Sequence, residues 1–194
     1  ALGFPTTLAP IVQCGLVPVF VDVELGTYNP TALAVWKAIN PETRAALLPH
    51  PLGLPFDVPA MLDMCDHAGR RTEVYDRNIY LLEDGCDALG ATFDGRLVGT
   101  FGAMSSLSHY PAHHITAGQG GSVVVNSPKV TVAARSISEW GRSCYCEPGK
   151  SNTCGKRFDW DFEGMPKGWD HKYTYDNIGY NLRATDMQAA VMCA

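Results

Sequence analysis

The sequence predicts an α/β protein whose sheet is mostly parallel and covered by helices on both faces. Apolar, β-rich segments alternate along the chain with segments whose apolar residues keep helical spacing. The β-rich segments are also continuous apolar runs, which is typical of strands that are buried on both faces. Strands that alternate with helices in this way are characteristic of parallel sheets.

The predicted elements follow in chain order. Thr6 or Thr7 can cap a helix over 6–15, because a hydroxyl oxygen accepts from the free N–H groups of a first helical turn. The remaining elements are a strand over 17–23, a helix over 31–39, a strand over 44–50, a helix over 58–67, strands over 79–83, 103–107 and 122–126, and helices over 130–140 and 185–192. The strand over 17–23 is nearly all apolar, so we expect it to lie inside the sheet.

The composition limits the class of protein. With 194 residues, 46% of them hydrophobic and 18% charged, the chain fits one globular domain or part of a larger one. A net charge of −5 without a Lys/Arg cluster argues against nucleic-acid binding. No apolar run approaches the roughly 20 residues of a membrane span, and no signal-peptide pattern is visible, so we expect a cytoplasmic protein without membrane contact. The chain begins without Met and stops within a helical pattern, which predicts a fragment of a longer protein.

The turn after the strand over 79–83 is a candidate site, because ligands of parallel α/β sheets bind beyond the carboxyl ends of the strands. It carries Glu83, Asp84, Cys86 and Asp87. Either aspartate can cap the next turn. Alternatively, an acid here can hold the protonated ring nitrogen of a cofactor, as pyridoxal phosphate enzymes require.

Two further groups carry metal-ligating side chains. Adjacent His113 and His114 suggest metal binding, but neighbours in an extended segment point in opposite directions and rarely share one metal. The seven cysteines are unevenly placed. Three of them fall within eleven residues, at Cys144, Cys146 and Cys154. An odd number without a signal peptide argues against a disulfide framework, so these three clustered cysteines need another explanation.

Five motifs occur in order along the chain: G-F-P-T-T at 3–7, P-V-F-V-D-V at 18–23, E-D-x-C-D-A-L-G at 83–90, S-x-Y-P-A-H-H-I-T-x-G-x-G-G at 108–121 and I-G-Y-N-L-R-x-T-D-M-Q-A-A at 178–190. With them the chain resembles the DegT/DnrJ/EryC1/StrS-type pyridoxal-phosphate nucleotide-sugar aminotransferases. The resemblance implies that 1–194 is part of the large domain of the fold-type-I pyridoxal-phosphate-dependent transferases. The start of that fold and the C-terminal small domain are missing, so we expect the isolated fragment to be inactive.

The lysine of that family is replaced here. In the family, a Lys five residues after a Ser forms a Schiff base with the cofactor, whereas His113 stands at that spacing from Ser108. A branch with this change resembles the nucleotide-sugar 3-dehydrases, which use pyridoxamine phosphate to remove the C3 hydroxyl of a 4-keto-6-deoxyhexose. Imidazole suits the base that takes a proton from C4′ of the cofactor, because its pKa of about 6.5 lies near working pH. His113 is the candidate base, and His114 is the alternative.

The resemblance also implies roles for the other motif residues. Phe4 is expected to stack on the cofactor ring, Asp84 to pair with the pyridinium nitrogen, Asp87 to lie beside the 3′ oxygen, and Ser108 to bind the phosphate. Asn181 is expected to reach the phosphate of the partner subunit in a homodimer, and Tyr110 lines the sugar pocket or packs as an ordinary aromatic residue.

The cysteines select a subgroup within this branch. The iron–sulfur 3-dehydrases of CDP-6-deoxy-4-hexuloses, which this branch resembles, carry C-x-C-x7-C and a fourth cysteine upstream, with 57 residues between it and the first cysteine of that motif. Here Cys86, Cys144, Cys146 and Cys154 match that pattern, the last three in a loop over 141–157. The resemblance implies a 2Fe–2S cluster, an NAD(P)H-dependent iron–sulfur flavin reductase as partner, and a CDP-4-keto-6-deoxyhexose substrate on the route to the 3,6-dideoxyhexoses of lipopolysaccharide O-antigens.

Other functions remain open at this point. A Cys₄ zinc site fits the same thiols, although C-x-C is less usual than C-x₂-C for structural zinc. A cluster-free 3-dehydrase, a sugar aminotransferase-like protein and a non-catalytic metal-binding relative are the further alternatives.

Overall fold

The computed structural model describes residues 2–70, 78–147 and 149–194. The chain forms two compact units. The first unit comprises Ala1–Asn126 with Val191–Ala194, and the second comprises Ser127–Ala190. Within the described residues, no helix is both long enough and apolar enough to cross a membrane.

A four-stranded sheet organises the first unit. Its strands are β1 (Ala45–Pro49), β2 (Tyr80–Asp84), β5 (Met104–Ser108) and β6 (Gly121–Val125), arranged in the order β1-β2-β5-β6. β1, β2 and β5 are parallel, and β6 runs antiparallel to β5. Parallel register places the carboxyl ends of β1, β2 and β5 at one edge, where Asp84 pairs with Pro49 on one side and Ser106 on the other.

Three helices accompany this sheet: α1 (Pro5–Gln13), α2 (Ala32–Ala38) and α3 (Val58–Arg70). Thr31 caps α2, since its hydroxyl oxygen accepts from the N–H of Ala34. The core is formed by the apolar faces of α2, α3 and β2, and its most deeply buried members are Phe56, Val58, Met61 and Leu81. The core therefore sits beside β2, the strand that carries the candidate site.

The second unit has little regular structure. It contains α4 (Pro128–Ser138), a 3₁₀ turn at His171–Tyr173 and most of α5 (Asp186–Cys193). Two isolated backbone bridges, Glu139 with Asn181 and Arg142 with Tyr175, tie its loops together.

The structure confirms the mixed α/β fold, the mostly parallel sheet, all five predicted helices and four of the five predicted strands. The prediction of a strand over 17–23 is wrong. These residues pair with no strand among the described ones, and Val17 and Phe20 are 86% and 66% exposed. Pro18 has no N–H to donate, and an extended apolar run becomes a strand only where a neighbouring strand completes its hydrogen bonds.

The sequence interpretation missed one hairpin, formed by β3 (Thr92–Phe93) and β4 (Arg96–Leu97). Asp94 and Gly95 connect these strands with positive φ angles of 48° and 78°. An Asp-Gly pair is the usual signal for such a two-residue turn, so this hairpin was detectable from the sequence.

Candidate active site

Asp84, the last residue of β2, is held from three directions. The Thr7 hydroxyl donates to Oδ2 at 2.6 Å. The Ser106 hydroxyl and the Cys86 N–H both donate to Oδ1 at 3.2 Å. The contact with Cys86 is the capping bond that one sequence alternative predicted. The other contacts fix the carboxylate at the carboxyl end of the sheet.

The surroundings of Asp84 favour its charged form. Partial burial alone would raise the pKa of this carboxyl group, but hydrogen bonds from Cys86, Thr7 and Ser106 more than offset that effect and lower it. Asp84 is therefore a fixed anion, which suits a residue that holds a protonated ring nitrogen.

Glu83 points to the opposite face of β2 and has a different environment. Its side chain is fully buried and lies 3.1 Å from Nε2 of His50, which is also fully buried. The backbone N–H groups of Gly99, Phe101 and Gly102 also donate to the Glu83 carboxylate. Glu83 thus anchors the 99–102 loop on that face. Of these two β2 carboxylates, only Asp84 faces the candidate site.

His113 forms a pair with Asp87. Nδ1 of His113 lies 3.0 Å from Oδ1 of Asp87, and the two side chains are 21% and 48% exposed. The backbone N–H of His113 donates to the Tyr110 carbonyl, and the two rings meet edge-to-face with centroids 6.3 Å apart. His114 is exposed, and no hydrogen bond or ion pair to another described residue holds its ring. The structure therefore distinguishes the two histidines that the sequence left as alternatives.

The remaining predicted cofactor residues are placed as follows. Ser108 ends β5, and its hydroxyl accepts from the N–H of Tyr110 at 3.2 Å. Phe4 precedes α1 with its side chain 72% exposed, three residues before Thr7. Asn181 is exposed in the second unit, where it bridges to Glu139. Their roles toward a cofactor stay predictions.

The second unit brings three of the four predicted ligand cysteines into one neighbourhood. Burial disfavours the Cys146 thiolate, but hydrogen bonds from Thr153, Cys154 and Cys144 outweigh it and lower the Cys146 pKa to about 7. Burial raises the pKa of Cys144. Sγ of Cys154 lies 3.5 Å from Nε2 of His171.

The sequence interpretation overlooked His171. It is 1% exposed, its Nδ1 donates to the Ser143 carbonyl at 2.8 Å, and its ring stacks on Trp160 at 4.3 Å. It lies 17 residues after Cys154, in a Trp-rich segment with no motif around it, so the sequence carried no local signal of the contact.

Cys86 lies in the first unit, beside Asp84. Burial and the nearby Asp84 charge raise the pKa of its thiol to about 12. Over residues 2–70, 78–147 and 149–194, no three His, Cys, Asp or Glu side chains are arranged to hold a metal ion. The four-thiol cluster site consequently stays a prediction.

The sequence profile of the DegT/DnrJ/EryC1/StrS aminotransferase family matches residues 1–194. The chain belongs to this family. The family supports pyridoxal or pyridoxamine phosphate as the cofactor, which fits the fixed Asp84 carboxylate at the sheet edge.

Several similar family members are sugar 3-dehydratases. The chain is 50% identical over 191 residues to dTDP-4-dehydro-2,6-dideoxy-D-glucose 3-dehydratase from Saccharopolyspora spinosa, covering 98% of this chain and 39% of that protein. It is 47% identical to the lipopolysaccharide biosynthesis protein RfbH from Salmonella typhimurium, covering 98% of the chain and 41% of that protein. The chain thus spans about two fifths of the length of these relatives.

A solved structure supports both the fold and the cofactor. GDP-4-keto-6-deoxy-D-mannose-3-dehydratase from Escherichia coli, with bound hydrated PLP, superposes with a TM-score of 0.79 at 30% identity. The match covers 100% of this chain and 45% of that one. The fold-type-I transferase assignment is confirmed, and the relatives belong to deoxysugar and lipopolysaccharide biosynthesis.

Proposed function

We propose that this chain is part of a dehydrase that removes the C3 hydroxyl of a CDP-4-keto-6-deoxyhexose with pyridoxamine phosphate and a 2Fe–2S cluster. The 3-dehydratases among its relatives support the reaction class. Their names specify dTDP and GDP sugars, so the cytidine nucleotide in this proposal rests only on the resemblance to the iron–sulfur 3-dehydrases. The full protein is proposed to act as a cytoplasmic homodimer supplied with electrons by an NAD(P)H-dependent iron–sulfur flavin reductase.

The observation that carries the dehydrase proposal is the pair of His113 and Asp87. An imidazole cannot replace lysine in a Schiff base, but it can act as a general base. A base works best with one ring nitrogen held and the other available. The 3.0 Å contact provides this, because it occupies Nδ1 of His113 and leaves Nε2 outside the pair.

The roles of the chain's own residues follow from this geometry. Asp84 binds and orients the ring nitrogen of the cofactor, and Thr7 and Ser106 keep its carboxylate in place. Nε2 of His113 takes up and returns a proton while Asp87 fixes the ring. When bound, pyridoxamine phosphate supplies an amine for the sugar ketone and an electron-withdrawing ring.

The cysteines fit an iron–sulfur cluster by the chemistry of their side chains. Such clusters are held by thiolates, and Cys144, Cys146 and Cys154 are neighbours in the second unit. We propose these three and Cys86 as the four ligands. The cluster would supply single electrons to the dehydrated sugar.

The base is tested by the change His113→Asn in the full-length protein, with His114→Asn as the matched control. Loss of the C4′ proton from labelled pyridoxamine phosphate should slow by the roughly 10²–10⁴-fold that a general base contributes. The control should retain the rate. Undiminished proton loss in His113→Asn would exclude it as the base. Asp87→Asn should slow the same step less than His113→Asn does, because it removes the group that orients the imidazole and keeps the imidazole itself.

The cluster is tested by the visible spectrum and iron content of the anaerobically purified full-length protein. We expect sulfide-to-iron bands beyond 400 nm that disappear in Cys86→Ala and persist in Cys14→Ala, because Cys14 is an exposed cysteine outside the motif. A colourless protein with one zinc ion would contradict the cluster. Iron retained in Cys86→Ala would contradict that ligand.

A cluster-free 3-dehydrase is the second candidate. It is favoured by the lack of a preformed metal-holding group in the described part of the chain. This enzyme would release the 3-deoxy-4-keto sugar by hydrolysis, without a reductase. Product analysis with and without an electron donor separates the two candidates.

A further inference from the structure

The loop between β5 and β6, which carries the candidate base His113, is closed at one residue, His109. The backbone N–H of His109 donates to the Gly120 carbonyl at 3.0 Å. The His109 carbonyl accepts from the Ala117 N–H at 3.1 Å and from the Thr116 hydroxyl at 3.1 Å. The two ends of the loop are thus held together at the backbone of His109.

The side chain of His109 joins this loop to the sheet. Nε2 of its imidazole lies 2.7 Å from the hydroxyl of Ser122, which belongs to β6. Ser122 stands opposite Leu107 in the antiparallel pairing, so its contact with His109 is the diagonal contact between neighbouring strands. Because β6 is hydrogen-bonded along β5, the Ser122 contact fixes the imidazole, and with it the start of the loop, to both strands.

The other nitrogen of the His109 ring is unfavourable for stability. Nδ1 is buried and has no hydrogen-bond partner among the described residues. The free-energy penalty for such an atom is at least as large as the net gain from one hydrogen bond, so the Nε2 contact does not outweigh it. A phenylalanine ring would avoid the penalty. The stability of the fold therefore does not explain an imidazole at this position, whereas a role in placing the loop does.

We propose that His109 is a positioning residue for His113. By fixing the loop, it keeps Nδ1 of His113 at 3.0 Å from Oδ1 of Asp87. A carboxylate that faces Nδ1 holds the ring proton on that nitrogen, which leaves the lone pair of Nε2 to take up a proton. A small misplacement of such a group lowers the rate of the reaction. The effect on the reaction rests on the proposed function of His113 as the base, whereas the effect on the His113 ring does not.

The first test reads the tautomer of His113 in the full-length protein by NMR with ¹⁵N-labelled histidine, at a pH where the ring is neutral. The His113 signals are assigned by their absence in His113→Asn. His109→Phe and Ser122→Ala each delete the contact between the loop and β6, so the fraction of His113 with its proton on Nε2 should rise about twofold or more. His67→Phe should match the native protein, because His67 is an exposed histidine of α3 whose ring contacts Asp63 of the same helix.

The second test measures loss of the C4′ proton from labelled pyridoxamine phosphate in the same variants. His109→Phe and Ser122→Ala should each slow this step about 2- to 10-fold, which is the effect of one hydrogen bond. The double variant should lose no more than the larger single loss, because both changes delete the same contact. His109→Gln should recover part of the rate, since its amide nitrogen can take the place of Nε2. The urea midpoint of His109→Phe should stay at or above the native value.

The outcomes separate a positioning role from a structural one. An unchanged His113 tautomer in both variants would overturn the proposal. So would a lower urea midpoint in His109→Phe with an unchanged rate of proton loss, because the side chain would then serve stability alone. The tautomer is read without turnover. If the variants change it but the native protein shows no proton loss, the proposed function fails and the positioning of His113 by His109 stands.

Discussion

Replacing Glu83 with Gln tests whether the buried Glu83 carboxylate stabilises the 99–102 loop, which it anchors on the face of β2 opposite the candidate site. The change keeps the size of the side chain but removes its charge and turns one oxygen into an N–H donor. In the native protein, Oε1 accepts from Phe101 and Gly102, and Oε2 accepts from Gly99 and faces Nε2 of His50. A glutamine amide nitrogen in place of either oxygen would face N–H groups and leave at least one of them without an acceptor.

The cost follows from burial. Both Glu83 and His50 have 0% side-chain exposure, so water cannot replace the lost acceptor. Leaving one buried N–H without an acceptor costs about 1–3 kcal/mol. With a urea m-value of roughly 2 kcal/mol/M, we expect the unfolding midpoint to fall by about 1 M.

The assay combines urea unfolding of the full-length protein with amide hydrogen exchange at Gly99, Phe101 and Gly102. Glu42→Gln is the control, because Glu42 is an exposed glutamate of the same unit. Exchange at the three amides should accelerate in Glu83→Gln only. A midpoint within experimental error of the native one, with unchanged exchange, would refute the anchoring role of Glu83.

The same variant tests how the stability of the fold depends on pH. Burial would raise the pKa of Glu83, but hydrogen bonds from His50, Gly102 and Gly99 lower it. A group with a lowered folded-state pKa contributes stability that is complete above its unfolded pKa of about 4.3. That stability is lost as the pH falls through the lower, folded-state pKa. The native protein should therefore lose more stability than Glu83→Gln over this acid range.

Two further substitutions test the site and the second unit. Thr7→Val removes one hydrogen bond to Asp84 and should weaken pyridoxamine phosphate binding about 2- to 10-fold in a fluorescence titration, whereas Thr6→Val, at an exposed neighbour, should not. Gly141→Ala should destabilise the protein by roughly 3 kcal/mol or more, because φ is +84° and a Cβ would overlap the Asn177 carbonyl. Gly164→Ala is its control: φ is +78°, but the space is open, so a similar loss there would show that backbone strain alone is responsible.

The sequence predicts the fold well where the signal is local. The four confirmed strands are apolar runs between turns, and the helices have apolar residues at helical spacing. A short stretch of sequence is therefore enough to predict each of these elements. The strand over 17–23 has the same apolar composition, yet its residues are largely exposed and unpaired. The apolar composition of a segment indicates that it tends to be buried. Strand formation also requires a neighbouring strand to pair with, and the composition of one segment does not show whether such a strand exists.

The sequence also predicts only part of the candidate site. The end of a parallel strand is where ligands bind, and this rule located Asp84 without any structure. The groups that hold the carboxylate are separated from it by long stretches of chain. Thr7 lies 77 residues away and Ser106 lies 22 residues away. Hydroxyl residues are common, so only the strand register and the position of α1 reveal which of them make contact.

The two adjacent histidines show why contacts between distant residues decide the chemistry. From the local sequence, the only expected difference is that the two side chains point in opposite directions, as neighbours in an extended segment do. The structure adds the contact of His113 with Asp87, which joins the segment after β5 to the turn after β2. Because both strands end at the same edge of the sheet, one parallel register brings His113, Asp87 and Asp84 into the same unit. His114 has no such partner among the described residues, so it is the matched variant against which the role of His113 is measured.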